Sequence, residues 1–163
     1  MTGHDEDVRR EIWMRRAIAL SGDAVQAGQG GPFAAVIVRE GRIVAEGVNQ
    51  VTSTNDPTAH AEIVAIRSAC LALGTFSLAG CEIYASCEPC PMCLAAIYWA
   101  RLDRLYFANS RDDAQRVGFD DAAIYREVAL PVAARGLPTA RLLAAEARDA
   151  LDAWAAKPDK ILY

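Results

Sequence analysis

The chain has 163 residues, 53% of them hydrophobic and 23% charged, which suffices for one domain with its own core and excludes a disordered segment. A formal net charge of −4 supplies no overall basic field for phosphates, so nucleic acid is an unfavoured partner. No apolar run approaches the roughly 20 residues that span a bilayer and no signal-like segment opens the chain, so a cytoplasmic protein with no membrane partner is expected.

Trp13, Ala17, Leu20 and Ala24 recur at helical spacing and predict an amphipathic first helix, ended by Gly28, Gly30, Gly31 and Pro32. Phe33 to Val38 is an apolar run short enough for a strand buried on both faces. Glu40-Gly41 then turns it into a hairpin with Ile43 to Val48. After a polar loop from Asn49 to Pro57, Ile63, Ile66, Cys70 and Leu73 mark a second helix stopped by Gly74. Cys81 to Ala85 reads as a strand, Met92 to Arg101 as a helix, and Leu105 to Ala108 as a strand. The alternation implies crossover units with a parallel arrangement and predicts an α/β protein, a three-layer α/β/α sandwich over residues 1–163. Beyond Asp120 the chain is alanine-rich, punctuated by Pro131 and Pro138, with Leu143, Ala147, Ala150 and Trp154 at helical spacing.

Five cysteines stand at 70, 81, 87, 90 and 93. An odd count with three in seven residues reads as metal binding in a reducing compartment, not as a disulfide framework. Cys90 and Cys93 in Pro89-Cys90-Pro91-Met92-Cys93 open the third helix three residues apart and can share one metal ion, with the helix N-terminus favouring their thiolates. His60-Ala61-Glu62 opens the second helix, and His60 and Glu62 converge only if His60 sits at its mouth. One histidine and two cysteines leave the fourth position of zinc open, the catalytic pattern, and such a metal acidifies water. A carboxylate that is not a ligand must then carry protons, and Glu62 is placed for it. The rival readings need another ligand: Cys87 would close a structural zinc site, and Cys87, Cys90 and Cys93 with a fourth cysteine would hold an iron–sulfur cluster. Cys70 and Cys81 read as core residues.

A His-x-Glu followed by Pro-Cys-x-x-Cys is the signature of zinc-dependent base deaminases, and on it the chain is identified as similar to the cytidine deaminase-like superfamily, in its nucleobase and tRNA deaminase branch. Gly31-Pro32-Phe33, Asn49, the stretch Thr54 to Glu62, Cys87 to Cys93, Ile97 to Arg101, Gly118-Phe119-Asp120-Asp121 and the terminal Tyr163 resemble the bacterial guanine deaminases over nearly the whole chain. This resemblance implies one zinc held by His60, Cys90 and Cys93, hydrolysis of guanine to xanthine and ammonia, and catalytic roles for Glu62 and Asp121. It also implies that Asn49, Phe33 and the Ala61 backbone hold the base, and that Trp99 lines a partner's pocket in a homodimer. Tyr163 then tips a C-terminal segment, about 140–163, that closes over an active site and can be exchanged between subunits. The implied sheet has five strands, the fifth near 137–143, where Pro138, Ala140 and Arg141 are poor strand formers. The competing functions are a tRNA adenosine deaminase, which would want a basic groove beside the zinc, a cytosine-type deaminase, and a non-catalytic zinc module with no need of Glu62.

Overall fold

The computed structural model describes residues 3–162. The chain divides after Asp121 into two compact units, and the first carries the sheet. Helix α1 (Gly3–Gln26) leads into β1 (Ala34–Arg39) and β2 (Arg42–Val48), and a one-turn helix α2 (Val51–Thr54) lies within the polar loop that follows. Then come α3 (Ala61–Leu73), β3 (Cys81–Cys87), α4 (Pro91–Trp99), β4 (Arg104–Asn109) and α5 (Arg111–Arg116). Glu40 and Gly41 both have positive φ (51° and 73°), the requirement of the two-residue hairpin turn expected there.

The described strands form one mixed sheet in the order β2-β1-β3-β4. Only β3 and β4 are parallel; β1 runs antiparallel to both its neighbours. The expectation of a parallel arrangement therefore holds for one pair. The hairpin reverses the chain, so the crossover through α3 joins β2 to β3 in a common direction with β1 lying between them. In consequence the start of β1 and the ends of β2, β3 and β4 meet at one edge of the sheet. Along β1 the side chains alternate between two clusters. Ala35 and Ile37 pack with Ala61, Ala65, Ile83 and Ile97 on the α3/α4 face, while Val36 and Val38 pack with Ala17 and Tyr84 beneath α1. That makes three layers.

The second unit has α6 (Ala122–Ala129), a 3-10 turn (Val132–Ala134) and α7 (Glu146–Ala156), and by itself it has no buried residue among those described. The expected fifth strand is absent among the described residues, 137–143 being irregular. Pro138 has no amide to give a ladder, and no neighbouring strand of the same unit offers a partner. No helix of the described residues is long and apolar enough to cross a membrane.

The buried face of α3 is Ala61, Ala65 and Ala69, not the stripe of larger residues, which is only partly buried. Gly47 explains this. A Cβ at Gly47 would collide with the Ala61 carbonyl and the Ala65 backbone, so the first turns of α3 rest directly on the backbone of β2. Gly47→Ala is expected to lift that end of α3, costing about 1–3 kcal/mol as overpacked sites do and lowering metal retention. Thermal melts and zinc loss to a chelator read both effects; a variant unchanged in each would mean the helix has slack.

Candidate active site

The loop before α3 is built to deliver one side chain. Asn55 adopts left-handed φ (53°), and the Asp56 carboxylate accepts from the Thr58 amide (2.8 Å) and hydroxyl (2.7 Å). The Thr58 hydroxyl, then its amide, hold that carboxyl below its usual range. His60 follows as the N-cap of α3, with extended backbone (φ −68°, ψ 154°). His60 thus stands at the helix mouth, as convergence with Glu62 requires.

Proline does the equivalent work at α4. Pro91 occupies the first turn, and a residue before proline is pushed out of helical geometry, so Cys90 caps the helix at φ −64°, ψ 168°. Cys93 is the third helical residue, and the two sulfurs meet as an N-cap side chain meets N3, not as neighbours along a helical face. The Nδ1 of His60 lies 3.5 Å from Cys90 Sγ, and the three donor atoms all fall within 4.8 Å of one another. Zinc bonds of roughly 2.0–2.1 Å to nitrogen and 2.3 Å to sulfur, at a tetrahedral angle, place such donors about 3.5 Å apart. The donor set fits zinc. Cys93 is fully buried while His60 and Cys90 are partly exposed, so the cluster is reached from one side.

The protons are shared unevenly across these groups. A hydrogen bond from the Cys93 thiol, then one from His60, pull Cys90 down to about 4, and Cys93 is driven up correspondingly. Its hydrogen bond to Cys90 raises His60. Cys87 stands apart. Its Sγ donates to the Ser110 carbonyl at 3.5 Å, burial pushes it up to about 11, and it is not in the donor cluster. Among the described residues the cluster has three ligands, leaving neither a closed structural site nor a four-cysteine cluster.

Glu62, 7% exposed, sits beside the cluster, and burial raises its pKa above the ordinary carboxylate range. Asn49, 6% exposed, has its Oδ1 facing the amides of Gly31 (3.3 Å) and Val51 (3.2 Å). Two N–H donors on one atom settle it as the oxygen, which leaves the NH₂ group to donate elsewhere. Phe33 lies at the same sheet edge, its ring 4.8 Å from that of Phe119 and nearly perpendicular to it (84°). Ala61 is buried at the first position of α3, where helix amides lack internal partners. Burial first, then the charge of Cys90, raise the Asp121 pKa, so this carboxylate is within electrostatic reach of the cluster.

Trp99 is expected at a partner's pocket, not at this one. Trp99 ends α4, about 13 Å along the helix from Cys90, and is 64% exposed. Tyr163 lies outside the described residues. Two contributors went unselected in the sequence. Glu88 accepts from the Arg111 amide (3.2 Å), tying α5 to the cysteine segment, and Phe119 packs on Phe33. Their only signal was membership of segments already singled out for other residues.

Residues 8–109 match the model of the cytidine and deoxycytidylate deaminase zinc-binding region. The chain belongs to this zinc-binding family. Its similarity to the guanine deaminase of Bacillus subtilis is 49% identity over 147 residues, 90% of this chain and 94% of that one. The X-ray structure of the Bacillus subtilis enzyme superposes with a TM-score of 0.91 at 48% identity, over 94% of this chain and 98% of the other. A second solved relative, in complex with 2,6-diaminopurine, gives a TM-score of 0.66 at 35% identity, covering 69% of this chain and 62% of its own. A tRNA-specific adenosine deaminase of Agrobacterium fabrum is 51% identical, but over 76 residues, 47% of this chain and 50% of that protein.

The three-ligand arrangement predicts that Cys87→Ser keeps one zinc per chain, whereas Cys90→Ala and Cys93→Ala lose it. Elemental analysis of the purified variants decides. Iron with visible absorbance, or zinc lost from the Cys87 variant, would overturn the assignment.

Proposed function

We propose that this protein is a zinc-dependent guanine deaminase, hydrolysing guanine to xanthine and ammonia. The observation that carries the reading is the likeness to a guanine deaminase over 90% of the chain, well past residue 109, where the family's zinc region ends. Adenosine deaminases of tRNA share the zinc half, and the net charge of −4 gives them no support here.

His60, Cys90 and Cys93 would hold the zinc, which would supply acidification of the attacking water. Glu62 takes the water's proton and returns it to the departing amine, so water and guanine leave as xanthine and ammonia. Its raised pKa suits a group that must both accept and donate near neutrality. Phe33 stacks on the base, the NH₂ group of Asn49 donates to it, and the Ala61 amide holds it at the mouth of α3. Asp121 reads the polar edge and acts as a second proton carrier.

The remaining roles need a second subunit. In this reading the protein is a homodimer in which Trp99 lines the partner's site and the segment 140–163 closes over an active site with Tyr163 at its tip. The exposed apolar residues of the second unit, Ile124, Val128, Leu151 and Trp154, support a segment that finds its cover elsewhere. The five unpaired cysteines suit a reducing cytoplasm.

Guanine should release ammonia far faster than cytosine, cytidine or tRNA, because buried polar groups matched to one edge reject analogues that leave them unpaired. Glu62→Gln should keep its zinc and lose roughly 10²- to 10⁴-fold in turnover. A substrate panel with elemental analysis tests both: inosine formed in tRNA at a comparable rate would reassign the enzyme, and a zinc-loaded Glu62→Gln of normal activity would remove the proton carrier. Removal of Tyr163 should lower guanine turnover about 10-fold, some 1.4 kcal/mol of transition-state stabilisation, with melting unchanged. Equal kinetics would return it to an ordinary chain end.

A further inference from the structure

The segment from Ser110 to Asp121 is held by four contacts. At its start, the Ser110 side chain and the Asp113 carboxylate form a reciprocal capping box on α5. The Arg111 amide binds Glu88, next to the cysteine helix. After α5 the chain turns through Gly118, at φ +98°, and the Phe119 amide bonds the Ala114 carbonyl at 3.1 Å. The fourth is the Phe119 ring on Phe33. A Cβ on Gly31 would lie 3.2 Å from both rings, so the absence of a side chain there makes room for the pair. Gly31 is in turn bound through its amide to Asn49. Phe119 is 44% exposed and belongs to neither buried core cluster, so the fold gains little from it. Its contacts concentrate on the base-binding edge.

Resting on the proposed function, we infer that Phe119 is a positioning residue for base recognition. Its ring braces Phe33 against rotation and carries Asp121, two residues on, toward the zinc cluster. It links the stacking wall and the edge-reading carboxylate into one unit, so that a flat base inserted against Phe33 meets Asp121 at a set height. An edge-to-face pair restricts the orientation of both rings, which bulk alone would not do.

The test is guanine kinetics on the zinc-loaded dimer-competent full chain for Phe119→Ala, Phe119→Leu and Phe119→Tyr, each also combined with Phe33→Ala and Asp121→Asn. Phe119→Ala should raise KM about 10-fold with kcat changed less, at wild-type zinc content and melting temperature. Phe119→Leu, which keeps bulk without a ring face, should show the same direction and guards against a folding defect in the alanine variant. Phe119→Tyr should recover most of the loss. Each double variant should be no worse than its poorer single, because Phe119 acts through its two partners. A Phe119→Ala enzyme with wild-type KM, a loss matched by lost zinc or melting in both Ala and Leu forms, or full additivity overturns the inference. A wild type inactive on guanine sinks the functional reading and this one together; an active wild type with an unimpaired Phe119→Ala sinks this one alone.

Discussion

Two helix N-termini have to arrive at one point, and most of the molecule is arranged around that requirement. Ligands sit at the caps of α3 and α4, one at each, and neither cap makes the usual side-chain hydrogen bond to its own helix. Ser, Thr, Asp or Asn in those places would satisfy an orphan amide; His60 and Cys90 are turned toward each other instead. Both helix ends therefore aim their first-turn amides and positive dipole ends at the same small volume. Such a volume favours thiolates and, later, the electron-rich atoms of a substrate.

That arrangement is stable only because the sheet makes it unavoidable. The crossover from β2 to β3 passes over β1, so the strands that lead into His60 and Cys90 end at the same edge. Gly47 lets α3 descend onto β2 until backbone meets backbone, and Ala61, Ala65 and Ala69 are small enough to keep it there. A larger residue at any of these four positions would move the His60 mouth away from Cys90. A bound metal would in turn secure helix ends that lack ordinary caps, so that metal binding and local folding would reinforce each other.

The zinc half was legible because its chemistry is local. Proline at 91, glycine at 74 and the Asn55–Thr58 turn each act within a few residues, and each formed the boundary that its type dictates. Along α3 periodicity weighs size: Ile63, Ile66, Cys70 and Leu73 mark the helix, and three of them do pack against the core, but only the close approach to the β2 backbone at Gly47 explains why Ala61, Ala65 and Ala69 lie innermost. The antiparallel placement of β1 depends on where a crossover lands, which no local pattern records. Phe119 was invisible for the same reason, since its partner Phe33 lies 86 residues earlier and the contact exists only once four strands have assembled.

The two halves of the site thus differ in kind. Ligands and Glu62 stand on rigid helix ends above a packed sheet, where displacement by a fraction of an ångström breaks a donor set whose members lie within 4.8 Å. The groups proposed for base recognition come from loops: Gly31–Phe33, Asn49 and Gly118–Asp121. Loops drift unless pinned, and here each is pinned to another, Asn49 to Gly31, Gly31 packed against Phe33 and Phe119, and Phe119 leading to Asp121. A chain of loop-to-loop contacts can change length or side chain at one link without disturbing the metal. Substrate choice can therefore vary in evolution over a constant hydrolytic centre, as the coexistence of guanine and tRNA adenosine deaminases among the relatives of one zinc region requires.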